Sequence, residues 1–350
     1  MQTRRSVTLG LLGAGFVGAC ASTGSGSRTA STSSKTLVPA ATWDCGLPGG
    51  IAPPESGVLV LEAEVNLDAV YNVGRTPFGM RQAAVTQAGT FKGPKIEGEV
   101  LPGSLDYELT LSNGVVEVEQ ILVLKTSDGG HVLMRNAGVG PSAGDLRVVY
   151  DFEAPGNGPF AWLNTGTYVG RRTIDAAAKK MRLSIHDVSG VAVDAARGVK
   201  ITKPAGVPPQ PWDFRHADAS EERGEEILTE VVTLGRGQAV QGGKRGNRNV
   251  LPITGGTLTG IVSGKILFGG ADYQSLGNTG APPIDARYLW QTTEGDIIIV
   301  RNTTNAGIGL VPIFETRVDG KYAWLNSGKY LSSPPGMGPG GLTISMYKSK

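Results

Sequence analysis

Cysteine and histidine are scarce in this chain. Of 350 residues, two are cysteine, Cys20 and Cys45, and three are histidine, His131, His186 and His216. The cysteines are too far apart for a redox or zinc-binding pair, and the histidines lack the spacing of metal ligands, so no metal site is expected. A GxSxG nucleophile elbow and a Walker phosphate loop are both missing. Gly13-Ala14-Gly15-Phe16-Val17-Gly18 spells GxGxxG. It has neither the preceding strand nor the following helix and acidic residue that dinucleotide binding needs, so no cofactor is expected. Runs of lysine and arginine are also absent. The formal net charge is +2, and Arg4 and Arg5 account for it within a segment read below as cleaved. A neutral mature chain without a basic stripe argues against nucleic acid as a partner. No stretch keeps an apolar period of 3.6 residues between caps, which argues against a helical architecture.

Glycine and proline are plentiful, at 52 and 21 residues. That supply suits many short strands joined by tight turns. Residues 58–65, 96–101, 105–111, 115–125, 132–135, 146–152, 160–163 and 181–188 alternate or are β-branched, and read as strands. Residues 175–180 suit a single helical turn. Residues 227–234 and 342–347 match the first and last strands of a second set.

Residues 1–19 read as a targeting segment. Arg4 and Arg5 make a basic start, and residues 7–19 are apolar, too short to span a bilayer but suited to a signal-peptide core. Val17-Gly18-Ala19-Cys20 resembles the bacterial lipobox. That resemblance implies a lipid on Cys20, hence a membrane anchor and a place in the bacterial cell envelope, on the periplasmic face of the outer membrane. Residues 20–56 are rich in Ser, Thr, Gly and Pro and read as a flexible tether. Trp43 and Cys45 lie near its end, and with Cys20 lipidated Cys45 has no disulfide partner and reads as a partly buried thiol. Pro204, Pro208, Pro209 and Pro211 mark residues 189–224 as a linker between a first repeat, 57–188, and a second, 225–350.

The two repeats share their spacing. Asp106 and Glu119 recur as Asp272 and Asp285, and Gly129 and Asn136 recur as Gly295 and Asn302. Arg81 and Gly89 return as Arg248 and Gly256. Phe152-Glu153 and Trp162-Leu163-Asn164 return as Phe314-Glu315 and Trp324-Leu325-Asn326. Matched spacing without gaps marks an internal duplication. The Gly-Thr-Phe/Leu turn, Gly269-Gly270-Ala271-Asp272-Tyr273, Asp285-Ala286-Arg287-Tyr288, Glu294-Gly295 and Trp324-Leu325-Asn326 resemble the domain-of-unknown-function family numbered 3237. The resemblance covers both copies and implies an all-β fold of two tandem calycin-like up-and-down β-barrels. It implies no settled activity. The first copy departs from the pattern, with Glu119-Gln120-Ile121-Leu122 in place of Asp285-Ala286-Arg287-Tyr288. If Arg287 does chemistry, the first barrel is the degenerate partner.

A closed barrel of about eight to ten strands encloses a lumen that can hold a small ligand. Alternation puts Asp285, Arg287 and Leu289 on one face of a strand, and Asp272 and Gln274 on one face of its neighbour. With those faces inward, Asp272, Arg287 and Arg248 meet near one end of the lumen. Asp272 is then a candidate acid or base, Arg287 an anion stabiliser and Tyr273 or Tyr288 a proton relay. Arg248, Asp285, Trp324 and Asn326, with Arg81, Asp106, Tyr107, Trp162 and Asn164 in the first copy, are candidate ligand contacts. Plainer roles stand beside these: a turn carboxylate for Asp272, a surface pair for Asp285 and Arg287, and barrel-closing core for the tryptophans. Three functions follow: an envelope lipoprotein whose lumen binds a small apolar or aromatic molecule, a cofactor-free lyase or isomerase, and a structural protein with packed lumens. The oligomeric state is not legible.

Overall fold

The computed structural model describes residues 47, 50–192, 204–206, 215, 217–276, 284–305 and 309–350. Residues 1–46, which include the stretch read as a targeting segment, Cys20, Trp43 and Cys45, and much of the proline-rich stretch read as a linker lie outside the described residues.

The glycine-bounded runs form antiparallel strands. The first set is β1 (Val58–Arg75), β2 (Met80–Lys92), β3 (Glu97–Val100), β4 (Leu105–Thr110), β5 (Val116–Thr126), β6 (His131–Gly140), β7 (Arg147–Glu153), β8 (Tyr168–Asp175) and β9 (Lys180–Asp187). β3 and β4 together fill one place between β2 and β5, and β9 returns to β1. The second set is β10 (Arg223–Leu234), β11 (Gln238–Gly243), β12 (Gly246–Gly260), β13 (Gly264–Leu276), β14 (Asp285–Thr292), β15 (Ile297–Asn305), β16 (Gly309–Glu315), β17 (Tyr330–Ser332), β18 (Gly336–Gly338) and β19 (Gly341–Ser349). β19 closes on β10, while β11 and β18 are side arms on β12 and β19. The result is two closed eight-stranded antiparallel barrels, the all-β tandem architecture expected.

The local expectations fare unevenly. Residues 160–163 are not a strand: Ala161–Asn164 is a 3-10 turn, repeated as Ala323–Asn326. The turn after β8 is a hairpin in which Lys179 takes a φ of 50° and the Asp175 carboxylate accepts the Ala178 N–H. β2 and β8 escaped the pattern reading, because glutamines and arginines interrupt their apolar alternation. The repeated Gly89 and Gly256 have a plain cause. They sit opposite Val65 and Val232, where a Cβ would fall 2.5 Å and 2.1 Å from the neighbouring carbonyl oxygens of Glu64 and Val231.

Each lumen is largely filled. Val118, Leu122, Leu124, Met134, Phe152 and Tyr168 belong to the first, and Tyr288, Trp290, Val300, Phe314 and Tyr330 to the second. Each fully buried aliphatic side chain stabilises by roughly 1.5–3 kcal/mol. The outer faces are buried as well. Val73, Val85, Leu105 and Tyr107 of the first barrel pack on Leu267, Leu289 and Ile299 of the second. Ile121, Val123 and Leu133 pack on Val240, Val250 and Ala271. Through the repeat, Leu105 corresponds to Ala271, Val123 to Leu289 and Leu133 to Ile299. Each copy therefore presents the same patch to the other, as in a two-fold symmetric dimer. At the start of the described region, Ile51 and Ala52 pack on the outer wall against Val139, Val149 and Val169, and Arg147 donates to the Ile51 carbonyl at 2.6 Å.

Candidate functional site

The barrel wall sorts the candidate residues into two groups. Arg287 does not enter the lumen. It alternates with Tyr288, shares the outward face of β14 with Leu289, and pairs with Asp285 at 2.9 Å and with Glu119 of the first barrel. Arg301 reaches the same Glu119 at 3.0 Å and lies over the Tyr107 ring, 5.3 Å from its centroid. Arg81 binds Glu315 at 2.8 Å, and its repeat partner Arg248 binds Glu153, the repeat partner of Glu315, at 2.9 Å. Tyr273 is half-buried on this side too, beside Tyr107 and Arg287. Thus Arg81, Arg248, Arg287, Asp285, Tyr107 and Tyr273 belong to the seam between barrels. The physical reason is charge: an arginine removed from water requires carboxylates, and the facing copy supplies them. Burial works against the Arg287 charge, but Asp285 and Glu119 hold its pKa well above the ordinary value.

The Trp-Leu-Asn motif has a structural role. Asn164 brackets Ala154, accepting from its N–H at 2.8 Å and donating to its carbonyl at 2.9 Å; Asn326 does the same at Thr316, at 2.8 and 3.0 Å. Trp162 and Trp324 are half-buried, and their carbonyls accept from Tyr168 and Tyr330 at 3.2 and 3.1 Å. Neither asparagine side chain is left over to orient a ligand.

Inside the first barrel, the copy that lacks the matching arginine has a polar cluster of its own. Asp106 faces inward and receives both arms of Arg172, with Nε–Oδ2 at 3.1 Å, and Arg172 also binds Glu108. Gln82 donates to Glu108 at 3.1 Å. Burial opposes the Arg172 charge, yet Asp106 and Glu108 hold its pKa above the usual arginine value. Burial raises the pKa of Tyr150, with Arg172 pulling against it and Asp106 adding to it, and its buried hydroxyl has no hydrogen-bond partner. A recess of about 400 Å³ opens here, lined by Val70, Gln82, Ala84, Asp106, Arg172 and Ile174 among others. A larger hollow of about 1140 Å³ is bounded mainly by exposed charges of the outer wall, such as Glu62, Glu64 and Arg182, and lacks this buried chemistry.

The second lumen is built differently. Asp272 is 8% exposed; its Oδ2 accepts from Gln274 at 2.7 Å, while its Oδ1 has no partner. Burial pushes its pKa up to about 6, although Gln274 pulls against this. Deeper in, Glu230 accepts from the Tyr288 hydroxyl at 2.6 Å and from the Trp290 indole at 3.1 Å. Burial pushes Glu230 up to about 7 against both bonds. The first barrel carries Ala63, Leu122 and Leu124 at these positions. Among the described residues, no group of three or more His, Cys, Asp or Glu side chains converges to hold a metal ion.

Arg172, Tyr150, Glu108 and Glu230 were not among the sequence candidates. Glu230 left a signal, since Leu228, Glu230 and Val232 share one face of a strand. Arg172 lies in the unread β8, four residues after the tyrosine that follows Trp-Leu-Asn.

Comparison with known proteins agrees with the duplication. A family model described as "Protein of unknown function (DUF3237)" matches residues 56–188 and 224–308. A UPF0311 protein of Bradyrhizobium diazoefficiens is 37% identical over 74 residues, covering 21% of this chain and 49% of the relative, so the chain spans about half of that relative's length. A UPF0311 protein of Rhodopseudomonas palustris is 27% identical over 135 residues, 34% of this chain and 87% of its own. The crystal structure of a β-barrel-like protein from Acinetobacter baumannii covers 37% of this chain and 94% of its own, at 19% identity and a TM-score of 0.34.

Proposed function

The chain belongs to the DUF3237 family of proteins of unknown function, which it carries twice, and from that premise we propose that it is a binding protein. The mouth of its first barrel takes a small apolar or aromatic molecule bearing one hydrogen-bonding oxygen. The recess beside Asp106 and Arg172, the two charges that act on the buried Tyr150, carries this reading. A buried hydroxyl left without a partner costs about 1–3 kcal/mol, and a ligand oxygen that reaches past Arg172 to Tyr150 relieves that cost. Val70, Ala84 and Ile174 supply apolar wall for the rest of the molecule.

Binding is favoured over turnover by the state of the polar groups. Asp106 and Glu108 are both engaged by Arg172, and a tyrosine with a raised pKa stays neutral, so the recess offers no free base. A lyase or isomerase pairing Asp272 with Arg287 loses its support, since the two face opposite sides of a barrel wall. The envelope location and the lipid on Cys20 remain part of the proposal on the strength of the Val17-Gly18-Ala19-Cys20 motif.

The test is mass spectrometry of small molecules released from the purified full chain. Wild type is expected to release one such molecule, and Gly144→Trp much less of it. Gly144 borders the recess, and an added Cβ there meets nothing nearer than 3.8 Å, so the bulk caps the mouth without distorting the wall. Wild type that releases nothing, or equal release from both proteins, overturns the reading.

A further inference from the structure

The two lumens carry the same aspartate with opposite provision for its charge. In the first, Arg172 crosses from β8 to Asp106. The second barrel has no such arginine. Tyr168 and Tyr330 correspond, each bonded to the carbonyl of its Trp-Leu-Asn tryptophan. The position matching Arg172 is therefore Pro334. β17 stops at Ser332, and Pro334 and Pro335 end the stave that would carry a cation. Asp272 is left with one oxygen bonded to Gln274 and the other unpartnered at 8% exposure. Among the described residues, the charge that acts on it is another carboxylate, Asp285. Gln274, itself bonded to Asn249 at 3.0 Å, stands where the first barrel has Glu108.

We propose that the second lumen is a separate binding site for a small organic cation, an amidinium, guanidinium or primary ammonium on an apolar body, which takes the place at Asp272 that Arg172 takes at Asp106. A carboxylate removed from water either holds a proton, as Glu230 does, or takes a charged partner. The duplicated copy shows which geometry satisfies it: a planar donor group entering from the mouth and bonding the aspartate side-on. The apolar body then lies at the mouth beside Ala286, the part-exposed residue opposite Asp272 on β14.

Isothermal titration of the full chain with benzamidinium tests this site, with neutral benzamide of the same shape as control. With the first-barrel mouth closed by Gly144→Trp, the chain is expected to bind one equivalent of benzamidinium saturably and benzamide at least ten-fold more weakly. Asp272→Asn is expected to lose at least ten-fold in affinity. Pro334→Arg, which supplies the cation in cis at an exposed turn, is expected to block the probe as well. Gly144→Trp, at the other barrel, leaves this site unchanged, so failure here is distinct from failure of the first-barrel reading. Equal binding of probe and control, undiminished binding to Asp272→Asn, or no saturable binding at millimolar probe overturns the proposal. If Asp272→Asn does not fold, the benzamide comparison and Pro334→Arg decide it.

Discussion

Arg81 leaves the outer wall of the first barrel and binds Glu315 of the second at 2.8 Å, with the arginine side chain 1% exposed. The same contact recurs in reverse between Arg248 and Glu153. Two barrels on one chain are thereby clamped at equivalent points about a local two-fold relation.

This clamp predicts a sharp asymmetry between single and double substitutions. Glu315→Ala removes the carboxylate that a buried guanidinium binds and is expected to destabilise the chain by about 3–5 kcal/mol, whereas replacing the pair with well-packed Met and Leu is expected to be near neutral. Urea denaturation of both variants checks it. A small loss in Glu315→Ala shows that the seam is wetter than its burial indicates.

Tyr150→Phe separates stability from binding. Its hydroxyl makes no bond in the ligand-free protein, so removal is expected to leave stability unchanged or raise it by about 1 kcal/mol. Affinity for the molecule held at the first mouth falls about ten-fold, a loss of about 1.4 kcal/mol. Denaturation midpoints and ligand occupancy, measured on one preparation, decide the point. A clear stability loss would mean that the hydroxyl is satisfied by ordered water.

Glu230 sets a pH dependence of known sign. Its folded pKa, about 7, exceeds the ordinary 4.5, so between these values the folded chain holds a proton that the unfolded chain has lost. The contribution of Glu230 to stability is therefore greatest below that window, falls as pH rises through it, and levels off above about 7, by at most about 3 kcal/mol. Glu230→Gln resembles the protonated form: its oxygen still accepts from Trp290, and its amide donates to the Tyr288 oxygen. Thermal midpoints of this variant are expected to be flat from pH 7 to 8 and higher than wild type at pH 8. Below about pH 7 a residual slope persists from Asp272, whose pKa is also raised. A wild-type midpoint that climbs with pH across 6 to 8 contradicts this assignment.

The duplication, the barrel class and the tight approach at Gly89 and Gly256 could all be read in the chain, because fixed spacing and glycine leave direct traces. Side was harder. Alternation correctly groups Asp285, Arg287 and Leu289, but both faces of β14 are buried, one by the lumen and one by the other barrel. Hydropathy cannot tell two buried faces apart, so Arg287 was assigned to the wrong one. Its partner Glu119 is 168 residues away and signals nothing locally. Arg172 was missed for a related reason: a charged pair in β8 does not look like lumen until Asp106 is seen opposite.

The covalent union of the copies has a consequence of its own. Where two identical chains assemble, any change at one cavity is imposed on its twin, and the pair must evolve in step. Here the exchanged patch holds the barrels together while each interior drifts freely. A Glu-Tyr-Trp trio can replace Ala, Leu and Leu on one side, and a proline can remove an arginine, without any effect on the other. Tandem fusion gives this molecule two unlike chambers on a common frame.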